Sequence, residues 1–538
     1  MSLRYILTVK GISNMYAKIY SATIHGIDGM LVTVEVDISN GLPHFEVVGL
    51  GGSAVKEARD RVRSAIRNSG FDFPMQRITV NLAPADVRKE GSVFDLAIAF
   101  GILLASKQIE MTSAIPLIIG ELALDGSLRP IPGVLPMLLE AHQRGFSRVI
   151  LPTANQAEAE LVPLETMPVP HLRTAVEANK GNEWVHVIDP TLVNTDYTHP
   201  SSIELRNESR HPNAIPSYDF ADVMGQHFVK RGLEVAAAGF HNVMLVGPPG
   251  SGKTLLANCI PSIMPKMTRE ESFEVTKIYS IAGLTTRYGL IVTRPLRAPH
   301  HTITQAALAG GGSQIPRPGE CSLAHGGILF LDEMPEFSRG VLEVLRQPLE
   351  NGQITISRAK QAYMYPARFL LIGSMNPCPC GYYGSKDQNV CRCSPLQVLK
   401  YRSKISGPLL DRIDIHLEVP RVSVEQLTKR EGEENSASIL TRVEMARSIQ
   451  CQRYRQNKRF SFNSSMTGQE LRTYCSLDKG GQELMSIAFN KLGLSARGYD
   501  RIVKVARTIA DLDGSLDIKT SHVAEAIQYR SLDKAIFA

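Results

Sequence analysis

No stretch of this chain approaches the ~18 uninterrupted apolar residues that a membrane-spanning helix needs, so the sequence carries no candidate span. The opening Met1-Ser-Leu-Arg-Tyr-Ile-Leu-Thr-Val9 has one basic residue and a broken apolar run, which is too little for a secretory signal and makes the cytosol the expected compartment. Cysteine is scarce as well. Eight in 538 residues do not make the disulfide framework of a secreted domain, and four of them crowd between Cys378 and Cys393. Cys259, Cys321, Cys451 and Cys475 are expected to be packing residues. A large excess of charge is also missing: a net +6 permits nucleic acid as a partner without singling it out.

What is there is the composition of a globular protein, 43% hydrophobic and 21% charged, in a chain too long for one hydrophobic core. Periodicity divides it. Residues 1–14 read as an N-terminal extension. Residues 15–190 alternate short apolar runs such as Leu31–Val36 and Ile78–Leu82 with helical periods, as a compact α/β domain does. Residues 191–217, polar and broken by Pro200, Pro212 and Pro216, read as a linker. Residues 218–425 alternate strands and helices, and residues 426–538 read as helical.

Most of the chemistry sits in the fourth segment. Gly247, Pro248, Pro249, Gly250, Ser251, Gly252, Lys253 and Thr254 match the phosphate-loop pattern, with the apolar run Val243–Val246 before them and a helical run after. Glycines let backbone N–H groups curl around phosphates, Lys253 neutralises β/γ oxygens, and Thr254 supplies a hydroxyl to Mg²⁺. The partner motif, Gly326-Gly-Ile-Leu-Phe-Leu-Asp332-Glu333, is an apolar strand ending in two acids. Asp332 would hold Mg²⁺ and Glu333 would polarise the attacking water. Ile372-Gly-Ser-Met-Asn376 is a second apolar strand, ending in an amide that can align that water. Leu409-Leu-Asp-Arg412-Ile-Asp and Ser495-Ala-Arg497-Gly-Tyr-Asp-Arg501 offer arginines whose planar cations suit a developing phosphate charge.

Two further features stand beside the phosphate machinery. Cys378-Pro-Cys380 and Cys391-Arg-Cys393 can bring four thiolates around one tetrahedral Zn²⁺, a structural site because no ligand position stays open. The runs Gly352–Ser357 and Gln361–Tyr365 alternate as two strands about Arg358-Ala-Lys360, a hairpin with a basic tip. Its charges suit phosphates and its tyrosines suit base stacking. His300 and His301 lack a third ligand at recognisable spacing and read as structural or pore-loop residues.

The order of these motifs resembles the AAA+ class. Arg294-Pro-Leu-Arg-Ala-Pro-His-His301, Arg317-Pro-Gly-Glu320 and Asn376-Pro-Cys-Pro-Cys-Gly381 narrow the resemblance to the ComM/YifB family of magnesium chelatase-like AAA+ ATPases, from Met15 onward. The resemblance implies an α/β multidomain chain: a Lon protease C-terminal-like α/β domain, then an AAA+ P-loop αβα core with a helical lid. It implies that Asn376 is sensor 1, Arg412 the finger given to a neighbouring subunit's ATP, and Arg497 the lid's sensor 2. A site of this kind is completed between subunits, so a homo-hexamer is implied. The 78 residues between Lys253 and Asp332 leave room for an insertion containing Arg294–His301, which in related ATPases faces the pore. In helicase relatives a hairpin before sensor 1 grips DNA, which makes Arg358 and Lys360 the expected DNA contacts.

Asn81-Leu-Ala-Pro-Ala-Asp86, Lys89–Leu96 and Pro130–His142 carry the Lon-like resemblance, yet the protease's serine falls on Val93 and its lysine on Leu135. The resemblance therefore implies an ATP- and Mg²⁺-dependent DNA helicase or translocase, acting on single-stranded or branched DNA and promoting branch migration in natural transformation, with recombination proteins as partners. A magnesium chelatase-like remodelling or metal-insertion ATPase is the alternative, and a Lon-like protease lacks its dyad.

Overall fold

A computed structural model describes residues 15–49, 52–84, 91–111, 115–181, 184–186, 218–285, 289–312, 316–358, 361–384, 390–422, 433–455 and 462–530. The expected extension 1–14 and linker 191–217 lie outside these residues. The described residues form two compact units.

The first unit takes in the residues up to 186 together with Phe273–Ile291. Its framework is an eight-stranded mixed sheet. The long strands Met15–His25 and Asp28–Ser39 pair antiparallel along their whole length. Val32, Val34, Val36 and Ile38 alternate inward, as a period of two demands of a half-covered sheet. Onto these strands packs the helix Asp95–Ala105, which is apolar nearly all round and buried at every residue but Leu104. Gly101 permits that approach: a Cβ there would lie 2.5 Å from a Val36 methyl. Val93 and Leu135 are both buried among apolar neighbours of this core.

The second unit is built on five parallel strands in the order Leu296–Arg297, Ile328–Leu331, Leu370–Met375, Val243–Val246, Ile415–Glu418. The middle three are buried at every residue, which is why they read as continuous apolar runs rather than alternating ones. The helices Ser436–Arg453, Lys479–Leu492, Ala496–Leu512 and Thr520–Gln528 share one apolar core with four of these strands. The segment expected to insert toward a pore does something else. Arg294 is buried and donates to the carbonyls of Pro265 (2.6 Å) and Gly326 (2.5 Å) and to Glu271 (2.8 Å), and Leu296–Arg297 is the edge strand of the sheet. A buried guanidinium needs several acceptors at once, and here they belong to the core. Among the described residues, no helix is long and apolar enough to cross a membrane.

The helical end is pinned by a buried charge network. Asp511 accepts from Arg453 (2.8 and 2.5 Å), Arg507 (3.1 Å) and Asn463 (2.8 Å), and it is 1% exposed. Removing the single acid would leave two arginines short of their counter-charge. Asp511→Ala is expected to lower the local stability of Ala496–Leu512 by about 3–5 kcal/mol, read as lost amide hydrogen-exchange protection there. Unchanged protection would show that the arginines find other acceptors.

Candidate nucleotide site

The buried strand Val243–Val246 delivers the chain into Gly247–Thr254, where it turns tightly at Gly250 (φ +77°) and Gly252 (φ +88°). These left-handed angles are costly for any residue with a Cβ. A helix starts at Lys253, so backbone N–H groups and the positive end of its dipole face the loop. The Lys253 ammonium donates to the carbonyls of Gly247 (2.8 Å) and Pro248 (2.9 Å) and to Asn376 Oδ1 (3.2 Å). Burial holds it below the usual lysine range, opposed by Asp332 and Glu333. A cation coordinated only by neutral oxygens is ready to trade them for a phosphate.

The acids stand across from it, at the carboxyl end of Ile328–Leu331. Asp332 Oδ2 accepts from Thr254 Oγ1 at 2.8 Å. This pairing of hydroxyl and carboxylate at the mouth of a phosphate loop is the oxygen donor set that Mg²⁺ favours. Glu333 adopts φ +50°, a left-handed conformation uncommon outside glycine. Its backbone N–H is held by Ser374 Oγ (3.1 Å) and Asp332 Oδ1 (3.1 Å), and the Ser374 hydroxyl donates to Asp332. Ser374 thus orients both acids, a role that motif spacing did not reveal. The hint available was its place two residues before Asn376 on one apolar strand.

Arg412 and Arg497 are brought together, and away from the loop. The Arg412 carbonyl accepts from Asn242 Nδ2 at 3.1 Å. Asn242 opens the very strand whose other end is the phosphate loop, roughly 16 Å further on at 3.3 Å per residue. Arg412 donates to the Pro408 carbonyl (2.6 Å) and ion-pairs with Glu350; Arg497 lies 3.8 Å from the same Glu350. Arg412, Arg497, Arg501 and Lys504 line one open cavity of about 590 Å³, which no residue of the phosphate loop lines. Arg501, the other arginine of its motif, is taken by Asp414. Glu350 was not foreseen, since a glutamate ending a short helix has no distinguishing spacing.

The remaining candidates fall out unevenly. The hairpin is present as Gln353–Arg358 paired with Gln361–Pro366, Arg358 opposite Gln361. Lys360 and the Arg358 side chain lie outside what is described. The tyrosines do not face solvent as base stacking requires: Tyr363 and Tyr365 share the inward face at 7% and 1% exposure, and burial pushes the Tyr365 hydroxyl up to about 12. The four clustered cysteines do converge, their Sγ atoms all within 4.8 Å of one another. Of the other four, Cys259, Cys321 and Cys475 are buried as expected, but Cys451 is exposed. The rings of His300 and His301 lie 4.0 Å apart, tilted by 35°, with His300 bonded to Thr302 (3.0 Å). Neither joins a metal-ligand group among the described residues. The two sequence segments containing Arg297 and Glu320 meet in a two-bond ion pair of 2.6 and 2.8 Å.

A five-stranded parallel sheet with a phosphate loop, an Asp-Glu pair and an amide at three adjacent strand ends defines a P-loop ATPase of the AAA+ type. Family models agree in detail. The model described as magnesium chelatase, subunit ChlI, matches residues 219–427; those for subunit ChlI of Mg-chelatase and the ChlI C-terminal part match 34–155 and 433–530. The chain is 42% identical to YifB of Salmonella typhimurium over 97% of its own length and 98% of the relative's. It is 42% identical to the competence protein ComM of Haemophilus influenzae over 96% and 97%. Likeness to the magnesium-chelatase subunit ChlI-2 of Arabidopsis thaliana is fainter, 27% over 31% of this chain and 45% of that one. The chain belongs to the ComM/YifB family of magnesium chelatase-like AAA+ proteins. That membership implies ATPase activity with ATP and Mg²⁺.

Ser374→Ala removes the hydroxyl that orients Asp332 and Glu333 while leaving the loop untouched. Hydrolysis should fall by on the order of 10- to 100-fold with nucleotide affinity preserved, measured by steady-state turnover beside equilibrium binding. Full turnover in the variant would remove Ser374 from the site.

Proposed function

We propose that this chain is a hexameric, Mg²⁺- and ATP-dependent DNA motor of the cytosol that drives branch migration of recombination intermediates in support of natural transformation. The observation that carries it is the division of the site. Gly247–Thr254, Asp332, Glu333 and Asn376 stand at the carboxyl ends of the strands, whereas Arg412 and Arg497 stand by their amino ends. Arginines so far from their own phosphate loop serve one belonging to another copy, and a closed ring gives every loop such a neighbour. The lid's sensor Arg497 then acts with Arg412 on the neighbour's nucleotide rather than on its own.

Within one such composite site, Thr254 and Asp332 would hold Mg²⁺, which neutralises phosphate charge. Glu333 accepts a proton from the attacking water that Asn376 aligns, Lys253 leaves its carbonyls for the phosphates, and the two arginines stabilise charge developing on the γ-phosphoryl group. Arg412 and Arg497 must exchange Glu350 for that phosphate as the neighbour docks.

Support for DNA as substrate comes from the name of the Haemophilus relative and from the hairpin preceding the sensor strand, whose turn sequence contains Arg358 and Lys360. The first unit we read as Lon-like and inactive, because buried Val93 and Leu135 occupy the positions of the protease dyad. The chelatase-like family models favour a second reading, a protein-remodelling or metal-insertion ATPase. Turnover measured at fixed low salt with single-stranded, duplex and four-way-junction DNA separates the two. Stimulation by single-stranded or junction DNA supports the motor, and indifference to all three supports remodelling.

Arg412→Ala should bind ATP normally yet hydrolyse it about 10³-fold more slowly. Mixing it with Lys253→Ala subunits should restore part of the activity, since some interfaces then pair an intact loop with an intact arginine. No restoration at any mixing ratio would refute the shared site. For the hairpin, Arg358→Ala with Lys360→Ala should spare basal turnover and reduce the slope of log DNA affinity on log salt by about 2. An unchanged slope would take the hairpin off the DNA.

A further inference from the structure

The cysteine cluster is fastened to the phosphate loop. Cys378 follows Asn376 by two residues and is fully buried. Its carbonyl closes a turn with the Gly381 N–H at 3.0 Å. Gly381, at φ +85°, packs against the ring of Pro249: a Cβ there would be 2.3 Å from the proline Cδ and 2.6 Å from its Cγ. Next along, Tyr382 lies under the Arg421 guanidinium at 5.4 Å, and Arg421 also donates to the Pro249 carbonyl at 3.3 Å. On the other side Arg402 Nε holds the Pro377 carbonyl at 3.1 Å. The short path from Asn376 to Tyr382 therefore touches the loop at its second proline while carrying the sensor amide that bonds Lys253.

The sulfur geometry fits a metal. Cys378, Cys380 and Cys391 are spaced at 3.3, 3.7 and 3.6 Å, with Cys393 in the same group. Four thiolates at about 2.3 Å around a tetrahedral Zn²⁺ are separated by about 3.8 Å. Four sulfurs so close have no carboxylate or imidazole among them, a donor set that selects a soft divalent ion and leaves no open position for catalysis.

We propose that this cluster binds one Zn²⁺ and that the ion is a positioning element of the nucleotide site: by fixing the Asn376–Tyr382 turn, it holds Pro249 and hence the curvature of the phosphate loop. The inference rests on the reading that Gly247–Thr254 binds ATP. It adds that affinity for nucleotide depends on a metal that touches neither nucleotide nor Mg²⁺. The ion acts through a packing contact, since a loop whose backbone N–H groups must all point inward loses affinity when one flank shifts by a fraction of an ångström.

The test uses the full-length protein and two readouts, zinc content by metal analysis and affinity for a fluorescent ATP analogue in the presence of Mg²⁺. As purified, one zinc per chain is expected. Zinc stripped with a thiol reagent and chelator, followed by restored Mg²⁺, should weaken nucleotide binding on the order of tenfold or more. Cys393→Ser should do the same. Gly381→Ala is the decisive variant, because it disturbs the contact with Pro249 without altering a ligand: it should keep its zinc and its far-ultraviolet circular dichroism yet bind nucleotide more weakly. Substoichiometric zinc in intact protein, or a zinc-free chain and a Gly381→Ala chain that both bind nucleotide as tightly as the parent, would overturn the proposal and leave the ATP site standing. Failure of the zinc-loaded parent to bind nucleotide would overturn both readings together.

Discussion

The parallel register of Val243–Val246 between the strands Leu370–Met375 and Ile415–Glu418 is the constraint on which the rest of the second unit depends. Parallel strands bring all their carboxyl ends to one edge, and ligands in such sheets bind at that edge. Loop, acids and sensor amide meet there because each follows directly from a strand end. The same register sends Arg412, which precedes its strand, to the far edge beside Asn242. One geometric fact thus assembles the phosphate machinery and separates it from the arginines, which is the separation that the proposed ring would bridge.

Within the near edge, the side chains satisfy each other in ways that suit exchange. Lys253 is held by two carbonyls and an amide, Thr254 by Asp332, Asp332 by Ser374. None of these is a buried cation–anion pair, which would cost several kcal/mol to break. At the far edge the situation differs. Arg412 and Arg497 share the carboxylate of Glu350, which they hold below its ordinary range, Arg412 foremost. Arg412 is buried but Glu350 is half-exposed, so solvent screens the carboxylate and leaves it the partner that a phosphate could displace.

Much of this was legible in the sequence, for reasons that are physical. A phosphate loop requires a strand before it and a helix after it, and Val243–Val246 and Lys253–Cys259 carry both patterns locally. The acids after Ile328–Leu331 and the amide after Leu370–Met375 are legible because buried parallel strands are unbroken apolar runs. The hairpin's alternation is equally local, but alternation says which residues share a face and not which face is covered. Base stacking needs Tyr363 and Tyr365 on the open face, and they lie in the core. The 78 residues between Lys253 and Asp332 suggest an insertion containing Arg294, and its true acceptors, Pro265 and Gly326, lie 29 and 32 residues away in sequence, where only the fold brings them to it. Ser374 and Glu350 carry no motif, and only the fold shows what they touch. Arg297 with Glu320 is the intermediate case: each belonged to a segment marked by the family resemblance, and the ion pair between them supplies the physical reason for both.

The contact between Gly381 and Pro249 changes how the cysteine cluster should be regarded. A staple remote from the nucleotide would stabilise the fold without affecting function separately. This one is joined in sequence to the sensor amide and in space to the phosphate loop, so any force that reshapes the turn reaches both at once. Coupling of that kind needs no long pathway, only a short rigid segment that two sites share. A loop that must present several N–H groups to one polyanion gains from a fixed flank, because preorganised donors need no rearrangement when charge develops. The same rigidity would make Asn376 move with the loop rather than against it, keeping its amide at a constant distance from Lys253, to which it is bonded.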